Sequence, residues 1–389
     1  ENSQTPGGVY LLDYNVTSTH IPWLNAQLGQ YKVYFNRAQI NATSSMQFVE
    51  RALVSDAFTA SGLNRRDIGL TIMNDEEVYP VNYYFGVFNG GGPNFNRLGT
   101  FGSEEPTEGC PGGQTSGNPF PSPAGCPANQ RNINANYRVD VNQLMYSSRL
   151  MWNIMGRPGY GEGDLVYSET PQMAVGGGYA YNPAINTSTN NGFVGIDLAN
   201  LNIRRQLAAF GNARQLGWGI VDYSTWATDA VYKYRGFSLQ GEYYFKNVTR
   251  HDKGLPCMQT AVVGGPCTRF APGQFGNATG WYVASGYYVV PRKLELAARF
   301  SYWDPDTHSA DDLIKQVDVS ANWFLNGTYD HQIMVGWTYT QTGTGGFAIG
   351  RSAPLPAVGG VPVSGSVPLD AVGGKLIDNA LRIQYQLFF

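Results

Sequence analysis

The strongest constraint on this chain is the strict alternation of apolar and polar side chains, plainest at 377–389. Beyond Ala380, the side chains of Leu381, Ile383, Tyr385, Leu387 and Phe389 point one way, and Arg382, Gln384 and Gln386 point the other. Side chains on a strand alternate faces with period two, so this strand has one apolar, aromatic face and one polar face. Such a strand fits the last stave of a transmembrane barrel, with lipid outside and water inside.

Composition narrows the choice. The chain has 389 residues, of which 42% are hydrophobic, yet it has no run of about 18 apolar residues that could cross a bilayer as a helix. Charged residues are 14% and aromatic residues 13%, with 25 Tyr and 48 Gly. Few charges, many aromatics and much glycine suit a barrel with aromatic girdles and a mostly uncharged polar interior; a secreted β-sandwich or lectin is the competing class. The net charge of −3 argues against a nucleic-acid partner. No cofactor is expected. The chain opens on Glu1 without an apolar leader, so any export signal is expected to have been removed. Cys110 with Cys126 and Cys257 with Cys267 lie in Gly/Pro-rich segments without metal-ligand spacing. They are expected to form two local disulfides in an oxidising compartment.

Alternating segments recur at 9–18, 23–35, 65–73, 78–89, 137–155, 164–181, 226–234, 237–248, 279–290, 293–303, 313–325 and 328–340, before the closing strand. Short connections, among them Arg235-Gly236, Pro291-Arg292 and the hairpin signal Asn326-Gly327, alternate with long ones. The long ones are 36–64, 90–136, 182–224, 249–278 and 341–375, the last four expected to be extracellular loops. A short helix is expected near 45–53. This is the connectivity of an all-β, antiparallel, up-and-down transmembrane β-barrel forming a single domain over 1–389 in the bacterial outer membrane. About thirteen strands is an odd number, whereas bacterial barrels have even counts. A sixteen-stranded barrel whose first strands are missing from the chain is therefore expected.

Several stretches, L-G-Q-Y-K-V-Y-F at 28–35, F-V-E-R-A-L-V at 48–54, N-R-R-D-I-G-L at 64–70, Y-Y-F-G-V-F-N-G at 83–90 and G-Y-Y-V-V-P-R-K-L-E-L-A-A-R-F at 286–300, together with the terminal Phe389, resemble the phosphate-selective porin O and P family. The resemblance implies a sixteen-stranded outer-membrane barrel, assembled as a homotrimer. It also implies a constriction loop at 36–64 holding Glu50 and Arg51, and a role for Phe389 as the signal read by the barrel-assembly machinery. The family's dense basic ladder is missing, since Lys+Arg total 26 against 29 Asp+Glu.

A diffusion pore needs a wet lumen and a charged constriction. Candidates for the constriction are Arg37, Glu50, Arg51 and Asp56. Parity adds Lys32, Arg65, Asp67, Arg149, Glu242, Lys246, Arg299, Asp318 and Arg382 on the wall. Glu50 and Arg51 either set selectivity or pair with each other to pin the loop. Arg65 and Arg66 have opposite parity, one facing the lumen and the other the rim, where lipopolysaccharide phosphate is the expected contact. Charges facing lipid at mid-membrane cost about 2–4 kcal/mol, so Glu295, Arg299 and Asp318 are expected to face inward. The function expected from sequence is a non-enzymatic porin for small anionic or neutral solutes and ions, embedded in outer-membrane lipid and lipopolysaccharide. The alternatives are a structural sleeve or anchor for a partner protein, and a barrel enzyme.

Overall fold

In the computed structural model the described residues are 12–59, 65–90, 92, 144–186, 220–250, 276–305, 307, 313–343, 352–354, 366–368 and 376–387. They form one antiparallel sheet of thirteen strands in sequential order. The strands are β1 (Tyr14–Ser18), β2 (Asn25–Lys32), β3 (Arg66–Met73), β4 (Val81–Phe88), β5 (Met145–Met155), β6 (Gln172–Asn186), β7 (Ile220–Tyr234), β8 (Phe237–Arg250), β9 (Gly276–Val290), β10 (Leu294–Asp304), β11 (Ile314–Phe324), β12 (His331–Thr342) and β15 (Leu376–Leu387). A separate two-stranded ribbon, β13 (Ser352–Pro354) with β14 (Ser366–Pro368), lies between the last two. The all-β, up-and-down architecture expected from alternation is the one observed. No helix among the described residues is long and apolar enough to cross a membrane.

The described sheet is open. β1 pairs only with β2, and β15 only with β12. Thirteen strands of alternating direction leave β1 and β15 parallel, so a seam joining them directly would be a parallel ladder in an otherwise antiparallel sheet. The sixteen-stranded closure expected from sequence is not seen among the described residues.

Alternation sets the two faces. Leu239, Val283, Leu296, Val319, Val335 and Ile383 point outward and are exposed. They lie between aromatic residues at the short-connection end (Trp23, Trp152, Tyr287, Trp323, Tyr385) and further aromatics toward the other end (Tyr146, Trp226, Trp281). Trp281 packs with Phe300 at 5.4 Å and with Tyr302 at 6.0 Å. The inward face is polar but also carries the buried aromatics Tyr31, Tyr84, Phe88, Tyr244 and Tyr282.

Boundaries differ from the sequence expectation where local chemistry overrides the pattern. β6 starts at Gln172, not 164, because the Asp164 carboxylate accepts hydrogen bonds from the amide and hydroxyl of Ser168 and folds that stretch into a turn. β6 reaches Asn186 and β7 begins at Ile220, so the loop expected at 182–224 is shorter. The loop expected at 249–278 is trimmed likewise by β8 and β9. The helix expected near 45–53 lies instead at α1 (Arg37–Ile40), a 3-10 turn (Thr43–Ser45) and α2 (Leu53–Phe58). The Asn326-Gly327 hairpin is wider than two residues, since the Asn326 side-chain oxygen accepts from the Thr328 amide and hydroxyl and holds a broader turn. Residues 90–136 are almost entirely outside the described set, as are both cysteine pairs and Phe389.

The glycine run at 176–178 has a packing reason. A side chain on Gly178 would come within 2.1 Å of the Phe35 carbonyl oxygen, and one on Gly176 within 2.7 Å of the Arg149 guanidinium. Gly177, on the other face, has nothing closer than 3.5 Å. Gly178→Ala is expected to destabilise the fold by about 1–3 kcal/mol through overpacking, with Gly177→Ala close to neutral. Denaturant unfolding of the refolded chain in detergent measures both.

Candidate functional site

The inner wall carries charges at alternate positions, and those charges hold the segment that connects β2 to β3. Residues 33–59 leave the end of β2 and turn back along the inner face. Glu242, on β8, receives four donors: the Asn36 amide group, the Ala38 backbone N–H at 2.7 Å, the Tyr244 hydroxyl and the Tyr282 hydroxyl at 3.0 Å. Glu295, on β10, accepts from the Gln47 side chain at 2.6 Å and from Asn322 at 3.1 Å. Asn322 also donates to the Gln47 carbonyl at 2.8 Å. Lys246 donates to the Ala57 carbonyl and lies 5.5 Å from the Phe58 ring centroid. Phe58 in turn stacks on Tyr244 at 5.2 Å.

A second segment enters from the opposite end. The connection between β5 and β6, at 156–171, folds inward and meets the first segment. Arg37 donates to the carbonyls of Gly159 and Gly161 and stacks over Tyr160. The Gln47 amide donates to Glu162 at 2.7 Å, and the Glu162 amide donates to the Ser45 carbonyl at 3.0 Å. Lys233 on β7 donates to the carbonyls of Pro158 (2.7 Å) and Gly161 (2.6 Å). Asp164 also accepts from the Gly236 amide at 2.8 Å, tying this segment to the turn at Arg235-Gly236. That turn needs positive φ at both residues, 48° and 81°.

The residues expected at a constriction do lie on the inward segment, but their partners differ from the expectation. Arg37 is fully engaged as above. Arg51 donates to the carbonyls of Ala38 and Asn41 and does not pair with Glu50. Glu50 instead faces Arg382 of β15, at 3.3 Å. Asp56 pairs with Arg65. Burial pulls the Arg37 and Arg51 guanidiniums below their ordinary values, with nearby carboxylates opposing. Burial also pushes the Asp56 carboxyl up to about 7, against the pull of Arg51 and Arg299. The hydroxyls of Tyr160 and Tyr329, on the short-end connections, are raised mainly by burial.

The wall residues chosen by parity meet protein groups and all but Lys32 point inward; Lys32 is the cross-strand partner of Arg66 and shares its outward parity. Arg149 forms a buried pair with Asp229 and donates to the Phe35 carbonyl at 3.2 Å. Arg299 pairs with Asp318 at 2.9 Å, donates to the Glu50 carbonyl at 3.0 Å and lies 4.2 Å from the Phe48 ring centroid. Lys32 donates to the Asn41 carbonyl at 2.7 Å, and Asp67 is buried. Arg66 points to the outer side and is held by both oxygens of Asp13. Sequence reasoning missed Asp229, Lys233, Glu162 and Asp164. The first two are charges on an alternating segment, the signal that marked Glu295; Glu162 lies in a stretch with no periodicity, and Asp164 opens the segment expected to be a strand, where its capping of Ser168 makes a turn instead.

Asp229→Ala leaves the Arg149 guanidinium buried without its carboxylate and is expected to cost about 3–5 kcal/mol, read by denaturant unfolding; Asp229→Ala with Arg149→Met is expected to recover part of that loss. A carboxyl whose pKa is higher in the folded state than in the unfolded chain stabilises fully below the unfolded value near 4. Its contribution is lost as pH rises through about 7. The stability of the parent chain relative to Asp56→Asn should therefore fall between pH 4.5 and 7.5, read as the melting midpoint of heat-modifiable gel mobility.

No family model matches the chain, and no curated protein matches it. Among solved structures, a loop L8 deletion mutant of OmpT, an outer membrane protein of Vibrio cholerae, is 9% identical with TM-score 0.40, covering 86% of this chain and 75% of that one. OmpT expressed in the outer membrane of the same organism is 10% identical with TM-score 0.39, covering 84% and 70%. In-vitro folded OmpT is 9% identical with TM-score 0.39, covering 93% and 76%. The inner face of the present sheet is packed with two protein segments where a water-filled lumen was expected. The expectation of a porin for passive diffusion is corrected accordingly.

Proposed function

We propose that the chain forms the wall of a bacterial outer-membrane β-barrel with an occluded interior, a non-catalytic structural element of the membrane. The observation that carries this reading is the junction of the two inward segments. Arg37 reaches Gly159 and Gly161, the Gln47 backbone N–H donates to the Glu162 carboxylate, and the Glu162 backbone N–H donates to the Ser45 carbonyl, so the segment entering from one end is bonded to the segment entering from the other. The first segment also contributes Phe35 and Phe58 to a hydrophobic cluster with Tyr244 and Tyr282 of the wall. The outward belt of Leu239, Val283, Val319 and Ile383 between two levels of aromatic residues supports a lipid-facing exterior.

The test is permeability. Vesicles carrying the refolded chain are expected to hold trapped small sugars and to swell at about the rate of protein-free vesicles. A stable conductance of water-filled size in planar bilayers would overturn the reading.

A further inference from the structure

Among the described residues a groove lies open beside the inward segment. It has a volume of about 160 Å³ and runs between that segment and the wall strands β11, β12 and β15. Inward-facing Thr338, Thr340 and Thr342 form a ladder of hydroxyls along one side. The sheet register places Thr340 opposite Asp378 and Thr338 opposite Ala380, with Arg382 one step deeper, opposite Gly336. The deep end is closed by the Arg382–Glu50 pair, Nε to Oε1 at 3.3 Å, with side chains 37% and 60% exposed.

A pair this exposed contributes little to stability, so a ligand that satisfies both charges can open it. We propose that the groove binds a small zwitterion of the α-amino-acid class. Its carboxylate lies on the terminal nitrogens of Arg382, its ammonium on Glu50, and its polar side chain against Thr338 and Thr340. Two opposite charges 3.3 Å apart match a carboxylate and an ammonium carried on one carbon. A simple anion would sit beside the carboxylates of Glu50 and Asp378, and a simple cation beside the Arg382 guanidinium; each meets a like charge. An uncharged sugar gains neither contact. The groove has room for a small solute. The proposal uses the groove alone and does not depend on the interior being occluded.

The experiment is calorimetric titration of the full chain, refolded in detergent, with serine, acetate, methylammonium and glucose. Serine is expected to bind saturably below about 10 mM, while the other three bind at least about tenfold more weakly. Glu50→Gln and Arg382→Gln should each weaken serine binding by about tenfold or more. The exchange variant Glu50→Arg with Arg382→Glu rebuilds the pair in reverse, and it should bind serine within a few-fold of the parent. Acetate binding as tightly as serine would overturn the proposal. So would serine binding indifferent to both single variants, no saturable binding of serine, or loss of binding in an exchange variant whose heat-modifiable mobility is normal.

Discussion

The structure depends on finding partners for charges placed on the concave face of a sheet. Glu242, Glu295, Arg149 and Arg299 are each buried, and a charge taken from water costs several kcal/mol unless it is paired and hydrogen-bonded. Arg149 and Arg299 are answered by Asp229 and Asp318 on neighbouring strands. Glu242 and Glu295 are answered by the inward segment through Asn36, Ala38 and Gln47. The path of that segment is thus dictated by where unpaired carboxylates would otherwise stand on the wall. The wall charges and the segment's amides are two halves of one arrangement.

Packing completes what the hydrogen bonds position. Tyr84 stacks on Tyr34 at 4.7 Å, Tyr31 meets Phe88 at 5.6 Å, and Phe58 lies over Tyr244. These rings bring an apolar cluster into an interior that alternation alone marks as polar. The groove beside β15 is where this filling stops. There the lining changes from rings and amides to threonine hydroxyls and an exposed ion pair.

Much of the fold was legible because period-two alternation survives in every strand. Leu294, Leu296 and Phe300 opposite Glu295, Arg299 and Ser301 suffice to orient β10. The charged wall positions followed from the same parity. Closure was not legible, since the pairing of the sheet edges is a property of strands β1 and β15 and not of any local pattern. The interior was misjudged for a related reason. Parity says that Tyr84 and Phe88 share a face with Asn82, but it cannot say that an aromatic cluster from 33–59 will cover them. The inward turn at 156–171 has glycine and proline spacing that reads as an ordinary connection. Its course depends on Lys233, Arg37 and Gln47, which lie far away in sequence.

The two inward segments start from opposite ends of the sheet. One leaves the long-connection end after β2, and the other leaves the short-connection end after β5. Their junction at Arg37, Ser45, Gln47 and Glu162 therefore works as a clasp fastened from both ends of the sheet. Neither half can be withdrawn without breaking the other's anchorage. A mechanical pull on the connection at one face is felt by the polypeptide exposed at the opposite face, across the full thickness of the wall.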